Sequence, residues 1–306
     1  MPTADVVRHT MAGLGWYIRR TPDSVALAEW YGGALGLPLI RGRHPVWFFW
    51  GGDALCFELK SDQEPRPERF VDPASAPMLP AFACHDIAAT LTRIRAAGGR
   101  VLAQDGDDVF VLDPDRQLVC LRDKPLPLTS GAVDVAVGAS PFPADLAGWG
   151  WTICRVPDLD RETGFYRDVL GFDLVAQAAD KAVFEIGGSV APGARLELRS
   201  GGAALPLPRT REERLDAIIF RVDDHDAVNA ALKQAGLDMV NDAIRFNSAS
   251  LTYVATPSGR LIGFEERFEP ARYKVPRREF LEDKEAIRRR KAAKDKTCRE
   301  KGEPAA

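Results

Sequence analysis

The sequence is short of the residues that build most metal and redox sites. It has four histidines and five cysteines in 306 residues, and Cys56, Cys84, Cys120, Cys154 and Cys298 form no C-x-x-C pair. The first four cysteines sit in apolar, strand-like stretches, where a free thiol behaves as a small buried hydrophobe. A reducing, cytoplasmic setting is therefore expected. No apolar run approaches the ~20 residues of a membrane span. The first fifteen residues, which include Asp5, Arg8 and His9, lack the apolar stretch of a secretory signal.

What is present is ordinary for a globular chain, with 45% apolar and 28% charged residues. The length favours two domains, each able to bury a core. The net charge of −3 is unevenly spread. From Ala271 to Ala306 there are 13 Lys/Arg against 7 Asp/Glu, a surplus of +6 that leaves about −9 on the remainder. After Pro276 the only large apolar residues of that tail are Phe280, Leu281 and Ile287. Such mixed charge reads as a solvated helix or a frayed end. Interspersed acids without interleaved aromatics argue against nucleic-acid binding.

The chain repeats itself. At a constant offset of 135, Trp16 matches Trp151, Pro22-Asp23 match Pro157-Asp158, Tyr31 matches Tyr166, and Leu35-Gly36 match Leu170-Gly171. Phe57-Glu58-Leu59 then answers Leu196-Glu197-Leu198 at an offset of 139, so residues entered the second copy in between, within 189–194. Inside each copy the plan recurs, at 81–99 and at 218–236: a strand, an Asp and a helix ending in glycine. Both stretches lead to paired strands around Asp-Pro-Asp (113–115) or Thr-Pro-Ser-Gly (256–259). The pattern predicts four β-α-β-β-β units in two modules, 12–123 and 148–268. A proline-rich linker (124–147) separates them, and a charged helical tail (269–306) follows.

Local chemistry supports each element. Asp23, Asp86, Asp158 and Asp224 stand where strand periodicity gives way to helical periodicity, so each carboxylate can cap free N–H groups at the positive helix end. Leu159, Thr163, Tyr166 and Leu170 share one helical face, as do Ile87, Leu91 and Ile94. Gly36, Gly98, Gly171 and Gly236 fall where a left-handed residue closes a helix. These aspartates are structural on this reading.

The x-x-P-D step, the helix with an aromatic pair (Trp30-Tyr31; Phe165-Tyr166), the L-G stop and the D-P-D or T-P-S-G turn together resemble the vicinal oxygen chelate superfamily. That family includes glyoxalase I, extradiol dioxygenases and bleomycin-resistance proteins. The resemblance covers about 12–123 and 148–268 and implies an α+β fold, with the units paired into two cupped mixed sheets. It also implies His, Glu or Gln ligands to a divalent metal on the first and last strands of each unit. Carried onto this sequence, the first-strand positions are Trp16, Leu79, Trp151 and Ala217. The last-strand positions are Glu58, Cys120, Glu197 and Gly263. Each module keeps one carboxylate, and indole offers only an N–H donor. His9, His44, His85 and His225 miss the pattern, and His85 and His225 read as exposed helix-start residues.

The expected function is therefore binding of a small organic molecule in an aromatic-lined cup, with no cofactor. Trp16, Trp151, Trp47 and Cys120 are the candidate binding residues, and Glu58 and Glu197 the candidate catalytic carboxylates. A one-residue shift of register would turn both glutamates outward, and the tryptophans could equally be core filling. The alternative implied by the resemblance is a metal-dependent glyoxalase-type lyase or extradiol dioxygenase using Fe, Mn, Ni or Zn. A non-catalytic interaction protein is the third reading. The expected partner is a small molecule, with a homodimer as a further option, and neither nucleic acid nor membrane.

Overall fold

The computed structural model describes residues 2–43, 46–52, 55–61, 76–123, 145–188, 193–205, 216–241, 244–245 and 249–267. The expected tail and most of the expected linker lie outside the described residues. Helix α1 (Thr3–Thr10) precedes four units of the expected plan. Unit 1 holds β1 (Met11–Thr21), α2 (Ser24–Trp30), β2 (Leu39–Arg43), β3 (Val46–Gly52) and β4 (Leu55–Ser61). Unit 2 holds β5 (Met78–Cys84), α3 (Ile87–Ala96), β6 (Arg100–Asp105), β7 (Asp108–Leu112) and β8 (Leu118–Arg122). Unit 3 holds β9 (Leu146–Val156), α4 (Leu159–Gly164), β10 (Asp173–Gln177), β11 (Lys181–Glu185) and β12 (Arg195–Ser200). Unit 4 holds β13 (Ala217–Val222), α5 (His225–Gln234), β14 (Ile244–Arg245), β15 (Ala249–Ala255) and β16 (Leu261–Arg267).

The helix ends are built as the sequence predicts. Asp23 accepts from the backbone N–H groups of Val25 and Ala26, Asp86 from Ala89, Asp158 from Arg161 and Asp224 from Ala227. Each carboxylate thus satisfies donors that the first helical turn leaves unpaired. Gly36, Gly98, Gly171 and Gly236 have φ of 84°, 76°, 72° and 70°, a region that costs other L-residues energy. In units 1 and 3 the helix continues as a π-helical turn over Tyr31–Leu35 and Phe165–Val169. That wider turn carries the repeated tyrosines Tyr31 and Tyr166 into the core, both fully buried.

The strands form two eight-stranded sheets, in the orders β14-β15-β16-β13-β1-β4-β3-β2 and β10-β11-β12-β9-β5-β8-β7-β6. Two cupped mixed sheets are thus present, but each joins units from opposite halves of the chain. Cup A combines units 1 and 4 through antiparallel β1 and β13, with Trp16 opposite Ile219. Cup B combines units 2 and 3 through antiparallel β5 and β9, with Ala81 opposite Trp151. Pairing within each half, which the contiguous repeat suggests, does not occur. All four first strands are apolar and similar, so local sequence does not specify which of them meet.

Strand alternation separates two environments. In β1, Tyr17 faces a large core shared by both sheets and the helices, whereas Trp16 and Ile18 face the other way into cup A. The shared core is aromatic: Tyr17 stacks on Phe57 at 5.3 Å between ring centroids, and Trp149 of the other sheet meets Tyr17 edge-on at 5.7 Å. Arg19, 1% exposed, ties three units together there. Its Nε donates to Asp216, its Nη1 to Asp113 and to the Tyr31 hydroxyl, and its Nη2 to the Leu118 carbonyl. These four bonds offset the cost of burying the guanidinium.

Candidate functional site

The cup faces are the two surfaces that the shared core leaves over. In cup A a small apolar layer of Trp16, Ile18, Phe48, Ala217, Ile219, Tyr253 and Leu261 lines the sheet. Trp16 is 7% exposed, and its Nε1 donates to Glu265 Oε2 at 2.6 Å. Arg267 lies over the Trp16 ring, 4.5 Å from its centroid, and its Nε reaches the same Glu265 oxygen at 3.4 Å. Phe48 meets the indole edge-on at 5.5 Å. Indole, guanidinium and carboxylate thus close on one another within the protein.

Cup B has a corresponding floor, including Leu79, Ala81, Phe110, Leu118, Cys120 and Ile153, with Trp151 packed against it. Beside this floor lies a cluster of two arginines and two carboxylates. Arg122 binds Asp108 through Nε at 2.6 Å and Nη2 at 3.0 Å, and reaches Glu197 Oε2 through Nη1 at 2.9 Å. Arg199 donates from Nε to Glu197 Oε1 at 2.6 Å and from Nη2 to Asp108. Both oxygens of Glu197 are therefore taken by arginines, and its side chain is 2% exposed. Burial tends to raise the pKa of Asp108, but the hydrogen bonds and charges of Arg122 and Arg199 prevail and hold it below the usual carboxylate range. The Arg122 guanidinium also covers Trp151, 4.1 Å from the ring centroid, with that of Arg195 at 5.4 Å.

The six residues singled out from sequence separate between the cups. Glu58 and Trp16 share the face of cup A: Glu58 pairs in register with Ile18 and Phe48, and is half-buried. Glu197, Trp151 and Cys120 belong to cup B. Cys120 and Glu58 therefore stand in different sheets, because units 1 and 2 contribute to different cups. Trp47 lies in β3 opposite Leu59, and its side chain falls outside the described residues. Cys120 is fully buried. Burial first, then Asp108, push its thiol well above the ordinary value against the opposing pull of Arg122 and Arg199. It is a neutral thiol, not a thiolate nucleophile. One further reading fails: His225 is not an exposed helix-start residue but fully buried, with Nε2 at 2.9 Å from Thr252 Oγ1. Its backbone starts α5 on the sheet-facing side, so the ring packs inward; His85 is exposed as expected.

The residues missed from sequence are the charged partners Arg122, Asp108, Arg199, Glu265 and Arg267. A signal existed. Arg122 and Glu265 each lie two residues beyond a last-strand position, Cys120 and Gly263, and alternation returns the chain to the same face every second residue. Charges in the otherwise apolar strands LVCLR and LIGFEER mark a face that is not simple core.

Comparison with known proteins agrees with this architecture. Residues 148–264 match the glyoxalase, bleomycin resistance protein and dioxygenase superfamily, and residues 17–122 match a glyoxalase-like domain. The chain belongs to the vicinal oxygen chelate superfamily, with two modules. Glyoxalase I from Zea mays has a similar fold at 17% identity, with a TM-score of 0.59 over 86% of this chain and 95% of that one. A dioxygenase candidate from Bacillus subtilis subsp. subtilis str. 168 superposes with a TM-score of 0.62 at 12% identity, over 86% and 87% of the two chains. A sequence search among curated proteins finds no match.

Family membership implies a divalent metal, and the residues here do not fit one. Cup A offers Trp16, Glu58, Ala217 and Gly263 at the ligand-equivalent positions, and cup B offers Leu79, Cys120, Trp151 and Glu197. A catalytic centre needs several N, O or S donors with open positions remaining. The cup B carboxylate is committed to Arg122 and Arg199, and its thiol is neutral. Among the described residues no group of three or more His, Cys, Asp or Glu is placed to hold a metal ion. No helix among them is long and apolar enough to cross a membrane.

Proposed function

We propose that this chain uses a vicinal-oxygen-chelate cup to bind a small organic molecule through an aromatic and guanidinium-lined face, and that cup B is the working site. The supporting observation is the state of the two repeated tryptophans. Trp16 is enclosed by its own protein partners, whereas Trp151 is more exposed and rests on an apolar floor with Arg122 and Arg195 beside its ring. Indole and stacked guanidinium offer a flat, amphipathic surface. The ring of ion pairs among Arg122, Asp108, Arg199 and Glu197 holds that surface in place before a ligand arrives, which lowers the ordering cost of binding.

A thermal-shift screen of small acids, amides, esters and aromatic alcohols, run with and without divalent metals, tests this reading. A ligand that binds the native state raises Tm by linkage. The expected hits lose their effect in Trp151→Ala and keep it in Trp16→Ala, with folding of each variant checked by circular dichroism. Stabilisation seen only with a transition metal present, and retained in Trp151→Ala, would overturn the proposal in favour of a metal-dependent enzyme.

A further inference from the structure

Cup B presents two buried donors without acceptors. Among the described residues, neither Trp151 Nε1 nor Arg195 Nε has a hydrogen-bond partner. They stand side by side, since Arg195 and Trp151 are register partners across β12 and β9 and so share a face. A buried N–H left unpaired is costly, and two neighbouring ones on the face of a cup call for an acceptor. Among the described residues Arg195 pairs with Glu185 through Nη2, at 3.9 Å between partly exposed side chains, a contact too loose and too wet to satisfy its Nε.

Cup A shows what such an acceptor is. The two cups are built alike: Trp16 pairs with Ile219 and Ile219 with Gly263, just as Trp151 pairs with Ala81 and Ala81 with Cys120. Two residues farther along the last strand, cup A has Glu265 and cup B has Arg122. In cup A the Glu265 carboxylate takes the indole N–H at 2.6 Å, with a guanidinium stacked on the ring. In cup B that position carries a guanidinium instead, itself stacked on the ring, and the indole N–H has no carboxylate.

We propose that cup B binds the carboxylate group of an organic acid, accepted from Trp151 Nε1–H and Arg195, in the role that Glu265 plays internally in cup A. The apolar part of the acid rests on Ala81, Phe110 and Ile153. A carboxylate suits the site better than a neutral carbonyl because it has two oxygens for two donors, and because charge-assisted hydrogen bonds are the stronger kind. Arg122 and Arg199 are balanced by Asp108 and Glu197, which leaves Arg195 as the cation next to the vacant indole N–H.

This inference rests on cup B being the working site, and the experiment separates the two claims. Acetate, benzoate and 3-phenylpropionate, each paired with its amide, are titrated into the full-length protein by calorimetry and by indole N–H NMR. At least one acid is expected to bind tenfold or more tightly than its amide and to move the Trp151 indole proton, identified by its loss in Trp151→Phe. Trp151→Phe, which keeps an aromatic ring but no N–H, and Arg195→Gln are each expected to weaken that acid tenfold or more; Trp16→Phe leaves it unchanged. Acid and amide binding equally, with Trp151→Phe silent, overturns the carboxylate assignment while leaving a cup B site standing. If no acid or amide binds, or if binding is lost in Trp16→Phe alone, the assignment of cup B itself falls.

Discussion

Cup A and cup B start from the same strand plan and solve the same problem differently. Each must hold a tryptophan on the inner face of a sheet, where an indole N–H needs an acceptor. Cup A supplies one from its last strand, Glu265, and covers the pair with Arg267. Cup B places Arg122 at the matching position and uses its carboxylates, Asp108 and Glu197, to neutralise arginines instead of meeting the indole. In one cup the indole N–H has a carboxylate acceptor; in the other it has none among the described residues. The two cups share one strand plan but carry opposite charges at one matching position, Glu265 in cup A and Arg122 in cup B.

The largest test of that comparison is Arg122→Leu. Removing one member of a buried ion-pair cluster leaves Asp108 and Glu197 short of a partner, and a loss of about 3–5 kcal/mol in denaturant unfolding is expected. Arg267→Leu in cup A removes a partly exposed guanidinium and is expected to cost about 1 kcal/mol or less. Equal costs would show that the two arginines play the same role.

Next in size is one substitution made in both cups. Trp16→Phe deprives the buried Glu265 of its indole donor and is expected to destabilise the fold by about 1–3 kcal/mol. Trp151→Phe loses some ring contact on the cup B floor but also removes a buried N–H that has no partner among the described residues, so it should cost about 1 kcal/mol or less. A loss as large as that of Trp16→Phe would break the contrast between the two indoles.

A pH titration sharpens the contrast further. Asp108 is held below the usual carboxylate range, so in the native state it binds protons less readily than in the unfolded chain. Its contribution is fully present above about pH 4, the ordinary Asp value, and is lost as the pH falls below it. Asp108→Asn is therefore expected to lower stability at neutral pH and to flatten its decline on acidification. An unchanged acid slope would detach this pair from the stability of cup B. The smallest expected effect is at Cys120: peptide-level mass spectrometry after thiol alkylation should find it unmodified in the native protein and modified after unfolding, as burial requires.

Much of this architecture could be read in advance because its signals are local. The capping aspartates and left-handed glycines mark four helices, since each answers a need of the few residues around it. The repeat of Trp16 and Trp151, with Glu58 and Glu197 downstream, placed these residues on equivalent strands. The dyad rule brings Glu58 to the face of Ile18 and Glu197 to that of Ile153. The exposed reading of His225 failed because helix-start residues can face either solvent or sheet, and only packing against Thr252 decided it.

By itself, then, the sequence determined four β-α-β-β-β units, their ends and the residue types on each strand, because caps, turns and alternation act over a few residues. It also determined that the family's metal-ligand positions carry Trp, Leu, Ala, Gly and Cys beside one Glu per module. Which units share a cup was decided only by the tertiary structure. Strand pairing is a contact between distant segments, and four apolar first strands are locally interchangeable. That pairing placed Glu265 on Trp16, 249 residues away, and set Arg122 beside Trp151 and Glu197. The different surroundings of the two repeated tryptophans are therefore a property of the assembled sheets.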